Sequence, residues 1–212
     1  MTMNARSWRN RSTMLAVLIL FSSCASSARA ALVFAPGASN YNVGVGQTAS
    51  VTISLVETGG SQLGGNGLQS GAVWVERNAG SLPSSPAAIT GHTLNTTAFT
   101  GSTFVNSSST SERNVTLQTP TGASSGPTGP SILLMTLTLT GGNSAGVTTF
   151  TIKDDSAFDE TLTFGPPAVV LDSAIGAGSF TITTVVPEPS GVAALAVVAT
   201  FATGVRRRCR RD

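Results

Sequence analysis

The central part of this chain predicts an all-β fold, an antiparallel β-sandwich of two sheets, and three observations favour it. In residues 49–55, Ala, Val, Ile and Leu alternate with Ser and Thr, as in a strand with one buried and one wet face. Thr, Ser, Gly, Val and Ala dominate residues 31–185, and branched side chains pack well on a pleated surface. No window of that region shows an amphipathic period of about 3.6 residues, so helices are not expected there.

In the first half of the domain the predicted strands are short, and breaks rich in Gly and Pro separate them. Pro36-Gly37 ends the first strand, because proline offers no backbone donor to a sheet. The Gly-rich residues 59–67 form a loop before the strand that carries Trp74, and the pattern is poor between residues 81 and 101. The strands expected here are residues 32–34, 49–55, 71–76 and two weak candidates, 88–89 and 98–99.

In the second half the strand patterns are stronger. Residues 107–109 mark a loop tip, and residues 119–130 form a connector rich in Pro and Gly. Residues 132–140 (ILLMTLTLT) begin apolar on both faces, which predicts a strand at the centre of a sheet, and residues 147–152 are predicted to pair back on it as a hairpin. The strands expected here are residues 104–105, 115–117, 132–140, 147–152, 161–164, 169–171 and 179–185. Eight to ten strands in total suit two opposed sheets.

The charge of the chain is divided between its ends and its centre. The whole chain has a formal net charge of +2, whereas residues 31–186 hold three basic and eight acidic side chains, a net charge of −5. No basic patch remains there to neutralise phosphates, so nucleic acid is excluded as a partner. Cys24 and Cys209 both lie outside residues 31–186, so the domain has no disulfide, thiol nucleophile or thiolate metal site.

The first 30 residues have the three parts of a secretory signal peptide. A basic lead precedes a short apolar core, residues 14–21 (MLAVLILF), that is too short to span a membrane. Ala28 and Ala30 form a small-x-small cleavage pattern, which places cleavage before Ala31. We therefore expect a signal helix at residues 1–30, the general secretion machinery as a partner, and a mature chain that begins at Ala31.

An alternative for this end is lipidation. Residues 21–24 (FSSC) partly resemble a lipobox, in which Cys24 would carry the lipid and become the first residue of the mature chain. Phe is unusual at the first position of that motif. Labelling with a radioactive fatty acid, with Cys24→Ser as the control, distinguishes the two readings.

The last 27 residues combine three features in a fixed order. Pro187, Glu188 and Pro189 form a stiff extended segment. Residues 191–205 are apolar and uncharged but shorter than the roughly 20 residues of an ordinary transmembrane helix, so transient membrane insertion is expected. Five arginines then hold this end in the cytoplasm and leave the domain on the other side of the membrane. These basic stop residues are Arg206, Arg207, Arg208, Arg210 and Arg211.

This order resembles the PEP-CTERM sorting signal of exported bacterial proteins, at residues 186–212. The resemblance implies that an exosortase, a membrane-embedded cysteine protease or transpeptidase, recognises the tripeptide and removes the tail. It also implies a membrane-anchored precursor in a Gram-negative bacterium and a product at the cell surface or in an extracellular matrix that contains exopolysaccharide. The alternative is an ordinary C-terminal anchor, which would persist.

A second resemblance concerns residues 31–185. Gly46-Gln47 before the strand at 49–55, residues 67–73 (GLQSGAV) at the entry to the next strand, and residues 132–139 followed by 146–152 are similar to the order found in cohesin-like and related carbohydrate-binding sandwiches. This resemblance implies a sandwich of the cohesin-like or jelly-roll type.

The residues that offer chemistry in the domain are few. His92 is the only histidine, no Gly-x-Ser-x-Gly nucleophile elbow accompanies it, and we expect it in a surface loop. Residues 154–160 (DDSAFDE) are an ordinary acidic loop or, alternatively, a Ca²⁺ site of oxygen ligands. Trp74 is expected in the core or half-buried, although Trp74 and Tyr41 are also candidates for stacking on sugars.

These observations predict an exported, exosortase-processed protein with a structural or adhesive sandwich that is not an enzyme and needs no cofactor. The alternative is a carbohydrate-binding module for exopolysaccharide, and a secreted hydrolase is a third. The partners of the sandwich are then an exopolysaccharide or a surface protein.

Overall fold

Two β-sheets face each other across an apolar core in the computed structural model of the protein. The structure describes residues 31–59, 62–65, 67–80, 82–155, 161–165 and 168–186. Twelve strands and one short 3-10 turn at Asp172–Ala174 occur in these residues. The strands are β1 (Ala31–Pro36), β2 (Asn40–Gly44), β3 (Thr48–Thr58), β4 (Leu68–Arg77), β5 (Ala88–Leu94), β6 (Thr103–Ser108), β7 (Glu112–Gln118), β8 (Ser131–Thr140), β9 (Gly146–Lys153), β10 (Leu162–Thr163), β11 (Ile175–Gly176) and β12 (Gly178–Val185).

The all-β prediction and the two-sheet sandwich are confirmed, but the sheets are not wholly antiparallel. The smaller sheet has the order β11-β1-β3-β8-β5, and the larger one has the order β2-β12-β9-β4-β7-β6, with β10 beside β4. The pairs β1 with β11 and β2 with β12 are parallel. Each of them joins a strand near the start of the domain to one near its end, a pairing that no short hairpin turn can impose.

Alternation along the strands builds the core. In β3 the side chains of Val51, Ile53 and Leu55 are fully buried, as the sequence pattern predicts. From the larger sheet, the rings of Phe150 on β9 and Phe180 on β12 stack with their centres 5.2 Å apart. Fully burying side chains of this size is worth about 1.5–3 kcal/mol each, so this layer holds the two sheets together.

Strand β8 lies inside the smaller sheet between β3 and β5, as predicted. Ile53 of β3 pairs with Met135 and the next residue pairs with Leu133, so Leu134 is the additional residue of a β-bulge. The bulge lets Leu134 and Met135 both enter the core although they are neighbours in the chain, and it leaves Leu133 exposed. Two successive buried positions therefore reflect a bulge rather than a strand covered on both faces.

The predicted hairpin between residues 132–140 and 147–152 is wrong. Strand β9 belongs to the other sheet, where it pairs with β12 and β4. The connection crosses from sheet to sheet, and buried Thr184 on β12 accepts a hydrogen bond from the Gly142 N–H at 3.0 Å. A Cβ on Gly142 would lie 1.8 Å from the carbonyl oxygen of Ser85, so glycine permits the close crossing.

Other differences concern short segments. The weak strand candidate at residues 98–99 is wrong, because Ala98 lies in a turn and fully buried Phe99 follows it. Strands β2 and β11 were not predicted. The predicted signal helix at residues 1–30 and the transmembrane helix of the C-terminal tail lie outside the described residues. Within the part of the chain that the structure describes, no helix is long and apolar enough to cross a membrane.

Candidate docking face

The outer surface of β9, β4, β7 and β6 carries polar side chains that contact one another beside Trp74, and we call it the docking face. Trp74 lies at its centre, opposite Asn114 of β7 and Lys153 of β9. Its neighbours along β4, Val73 and Val75, are fully buried in the core. Because side chains alternate along a strand, Trp74 must point outward, and it is half-buried there. Trp74 was expected in the core or half-buried, and the structure shows it half-buried on the outside of the larger sheet rather than in the core.

Lys153 fixes the position of the Trp74 ring. Its ammonium nitrogen lies 4.1 Å from the ring centre and 2.9 Å from Oε1 of Glu76, the next outward residue of β4. A cation–π contact at an exposed site is worth about 0.5–1 kcal/mol, and an exposed ion pair about 1 kcal/mol or less. These contacts therefore order the surface more than they stabilise the fold.

On the other side of Trp74 a row of amides crosses β7 and β6. Asn114 is buried, and its Nδ2 donates to Oδ2 of Asp155 at 2.7 Å. The Nδ2 of Asn106 donates to the Oγ1 of Thr116 at 3.0 Å and lies 3.4 Å from the Oδ1 of Asn114. Asn114 and Thr116 are buried and Asn106 is exposed, so the row holds the Asn106 amide in place at the surface. Polar groups that already bond to one another lose little further entropy when a partner binds.

The docking face ends at β6, the last strand of the larger sheet. Phe104 is 50% exposed there and lies opposite Thr116, so its ring extends the face beyond the amide row. An exposed aromatic side chain beside ordered polar groups is a common arrangement at protein interfaces.

A small depression of about 220 Å³ lies next to the docking face. It is at the end of the β4–β7 pair where Ser70 lies opposite Gln118, and both residues line it. Phe164 and the exposed Gln69 and Gln118 are among its lining residues. The depression is smaller than the roughly 300–1,000 Å³ of a usual small-molecule site, and all of its lining residues are uncharged. It can hold a small neutral polar group.

His92 is not in a surface loop, which corrects the sequence-based expectation. It lies on β5 opposite fully buried Leu137 and points between the sheets. Burial, together with the charge of Arg113, lowers the pKa of His92 below its ordinary value of 6.5. The Gly-His-Thr sequence suggested a loop, but β5 has a bulge before Gly91 that accommodates the glycine within a strand.

The predicted sorting residues lie outside the described residues: Ala28, Ala30, Pro187, Glu188, Pro189, Arg206, Arg207, Arg208, Arg210 and Arg211. Ala31, the predicted first residue of the mature chain, is the first residue of β1. Of the acidic stretch at residues 154–160, only Asp154 and Asp155 belong to the described residues. Within the described residues no group of three His, Cys, Asp or Glu side chains could hold a metal ion.

Sequence reasoning missed most of the docking face. Asn114 and Lys153 occupy outward positions of regular strands, and Asn106 is the additional residue of a β-bulge in β6, so nothing in their spacing distinguishes them. The only available signal was that Lys153 is the single lysine of the chain. Register across β6, β7, β4 and β9 brings these residues together, and a sequence pattern does not contain that register.

No model of a protein family matches the sequence, and no curated protein matches it either. Among solved structures the chain is similar to a chain of the complex of CaDoc0917 with CaCohA2, at 18% identity and a TM-score of 0.51, with 73% of this chain and 99% of that chain covered. The solution structure of CaCohA2 from Clostridium acetobutylicum has 16% identity and a TM-score of 0.51, with 73% and 90% covered.

A third similar structure is the sixth cohesin of scaffoldin B from Acetivibrio cellulolyticus in complex with a mutant Cel5 dockerin. It has 12% identity and a TM-score of 0.49, with 74% of this chain and 99% of that chain covered. These structural neighbours are cohesin domains. The likeness to the two structures with a TM-score of 0.51 shows that the described residues form a sandwich of the cohesin-like kind, as the second sequence resemblance implies.

Proposed function

We propose that this protein is an exported, non-catalytic adhesive module that an exosortase processes at its C-terminal tail. It is delivered to the cell surface or extracellular matrix of a Gram-negative bacterium. The order of Pro187-Glu188-Pro189, apolar segment and arginine cluster supports the delivery. The sandwich supports the adhesive role, since cohesin domains are its structural neighbours.

The docking face carries the binding proposal. Trp74 is held between Lys153 and the amide row that Asn114 begins, and an aromatic residue surrounded by ordered polar groups is the usual anchor of a protein interface. The neighbour CaCohA2 is known in a complex with CaDoc0917. We infer that the partner of this domain is a protein of the cell surface or matrix.

A binding experiment tests this face. Matrix from the producing cells is immobilised, and the affinity of the full-length chain is compared with that of Trp74→Ala. Losing a central anchor costs about 2 kcal/mol or more, so we expect affinity to fall at least about 30-fold. Thr52→Ala, an exposed position of β3 on the smaller sheet, is the control and should bind normally.

Treating the matrix with a protease distinguishes the kinds of partner. Binding to a protein disappears after the treatment, whereas binding to exopolysaccharide survives it. Thermal unfolding checks that Trp74→Ala is folded. Equal affinity of the folded variant and the unaltered chain would contradict the proposed face.

Carbohydrate binding is the second candidate, and the depression beside the docking face is the observation that favours it. Amide and hydroxyl groups next to the ring of Phe164 suit the hydroxyls and apolar face of a neutral sugar. A glycan array examines this function directly. Specific, saturable binding that Gln118→Ala removes would favour an exopolysaccharide ligand over a protein.

Delivery is tested separately. Mass spectrometry of the exported protein should find its C-terminus near Pro189, and deletion of residues 187–212 should change the fraction of the cell in which the product is found. An exported chain that still ends in Arg211-Asp212 would rule out removal of the tail.

A further inference from the structure

Two Glu-Arg dipeptides separate charge across the larger sheet. Glu76-Arg77 ends β4 and Glu112-Arg113 begins β7, and the register places Glu76 opposite Glu112. Because successive side chains point to opposite faces, both carboxylates lie on the docking face and both arginines point between the sheets. Two of the three cations of residues 31–186 therefore enter the interior at one end of a domain with a net charge of −5.

Arg113 is buried, and no carboxylate among the described residues serves as its counter-ion. It is 6% exposed and pairs across the sheet with Val75, a fully buried core residue. One terminal nitrogen of its guanidinium donates to the hydroxyl of Ser108, and its Nε is buried without a hydrogen-bond partner. No carboxylate of the described residues forms an ion pair with it, since their only ion pair joins Lys153 to Glu76. An unpaired buried charge is costly and calls for a partner.

Arg77 adds a second guanidinium to this end of the sandwich. It lies two residues beyond Val75 on the inner face of β4, and diagonal neighbours of this kind lie about 7–8 Å apart. Its Nη1 donates to the carbonyl oxygen of Ala87 at 3.2 Å. The acceptor is neutral, and no carboxylate of the described ranges forms an ion pair with Arg77.

The opposite sheet contributes His92. It points between the sheets from β5, and the charge of Arg113 reaches it. Arg77 and His92 are half-exposed, and β5 and β6 are the last strands of their sheets, so this end opens to solvent at the lateral edge. Val105 of β6, 46% exposed although it lies opposite fully buried Val115, shows that the edge is not covered. A small group can therefore approach Arg77 and His92 from this side, and it reaches the buried Nε of Arg113 once the side chains that cover that nitrogen move aside.

We propose that Arg77, Arg113 and His92 form a binding site for a carboxylate. A guanidinium presents a planar fork of donors that matches the two oxygens of a carboxylate, and the unsatisfied Nε of Arg113 belongs to that fork. The carboxylate comes either from a small free acid or from the uronic acid units of an acidic polysaccharide. This site is independent of the docking face, which lies on the outer side of the same sheet.

Thermal unfolding of the full-length chain tests the site, with sodium acetate compared with sodium chloride at equal ionic strength and neutral pH. At about 100 times its dissociation constant, acetate should raise the Tm by about 5–10 °C over chloride. Arg113→Met should lose this response and still fold, because apolar replacements of buried charges are often neutral. Arg77→Gln, at a half-exposed position, is the second variant and should weaken the response.

Lys153→Gln is the control, since it removes one positive charge from the other side of the sheet and should keep the full response to acetate. A Tm that depends on ionic strength alone would overturn the proposal. The proposal would also be overturned if Arg113→Met and Arg77→Gln both kept the acetate response of the unaltered chain.

The imidazole of His92 gives a second measurement, because it is the only histidine signal of the chain in an NMR spectrum. A carboxylate bound beside it should raise its pKa, and acetate should therefore shift its titration midpoint upward. Polygalacturonate and free galacturonate, with dextran as the neutral control, distinguish the two sources. A response to the polymer identifies a polysaccharide carboxylate, a response to the monomer alone identifies a small acid, and no response to any carboxylate would refute the site.

Discussion

Glu57 gives the sharpest test of how this fold is held together. Glu57 is 8% exposed near the end of β3, where one oxygen of its carboxylate accepts the Leu63 N–H at 2.9 Å and the other accepts the Gln62 N–H. Leu63 is fully buried, and its carbonyl accepts the Gly129 N–H at 3.2 Å. The carboxylate therefore fixes the loop at Leu63, whose side chain enters the core and whose carbonyl holds the connector before β8.

The substitution Glu57→Gln replaces one carboxylate oxygen by an NH₂ group that faces a backbone N–H donor. One charge-assisted hydrogen bond is lost and the other is weakened, and a hydrogen bond to a charged group is worth about 1.5–3 kcal/mol. We expect a loss of about 2–4 kcal/mol in the free energy of unfolding. For a domain of this size the Tm should fall by about 4–16 °C.

Urea denaturation followed by circular dichroism measures this change, and Glu76→Gln is the matched control. Glu76 forms an exposed ion pair with Lys153, so its substitution should cost about 1 kcal/mol or less. If the two variants lose the same stability, the Glu57 carboxylate does not hold the loop as inferred. If Glu57→Gln keeps the free energy of unfolding of the unaltered chain but is cleaved faster by a protease within residues 59–67, the loop opens without the rest of the domain.

Two further predictions concern His92 and a glycine at the start of β12. Burial and the charge of Arg113 depress the pKa of His92, so as the pH falls the unfolded chain takes up a proton near pH 6.5 before the folded chain does. The free energy of unfolding should therefore decrease as the pH drops below that value. Unfolding curves across the acid range should show a weaker pH dependence for His92→Gln. A Cβ on Gly178 would lie 2.0 Å from the carbonyl oxygen of Phe34, so Gly178→Ala should lower the free energy of unfolding by about 1–3 kcal/mol. Gly80→Ala is the control and should be neutral, because no atom lies within 4 Å of the added Cβ. Equal thermal stability of the two variants would contradict the close packing at Gly178.

The sequence predicted those parts of the fold that depend on neighbours along the chain. Alternation in residues 49–55 identified β3, and the run at 132–140 identified an interior strand. The sequence did not predict the bulge at Leu134 or the sheet to which β9 belongs. Both depend on which strand lies alongside, and a pattern of apolar and polar residues is the same whether a strand pairs with its neighbour or crosses to the other sheet.

The docking face and the arginine end have the same origin. Glu76-Arg77 and Glu112-Arg113 are ordinary dipeptides in the sequence, and they become a sheet with acids outside and bases inside only when β4 and β7 pair in register. The proximity of His92 on β5 to Arg113 on β7 likewise requires the two sheets to face each other.

By itself the sequence determined the all-β class, the net negative charge of the domain and the predicted sorting signals at both ends, because composition and local order are sufficient for these. Only the tertiary structure decided that Trp74 lies beside Lys153 and that Arg113 has no counter-ion among the described residues. The physical reason is that a strand fixes only which side chains share a face. The partners of those side chains come from strands distant in the chain, and hydrogen-bond register selects them.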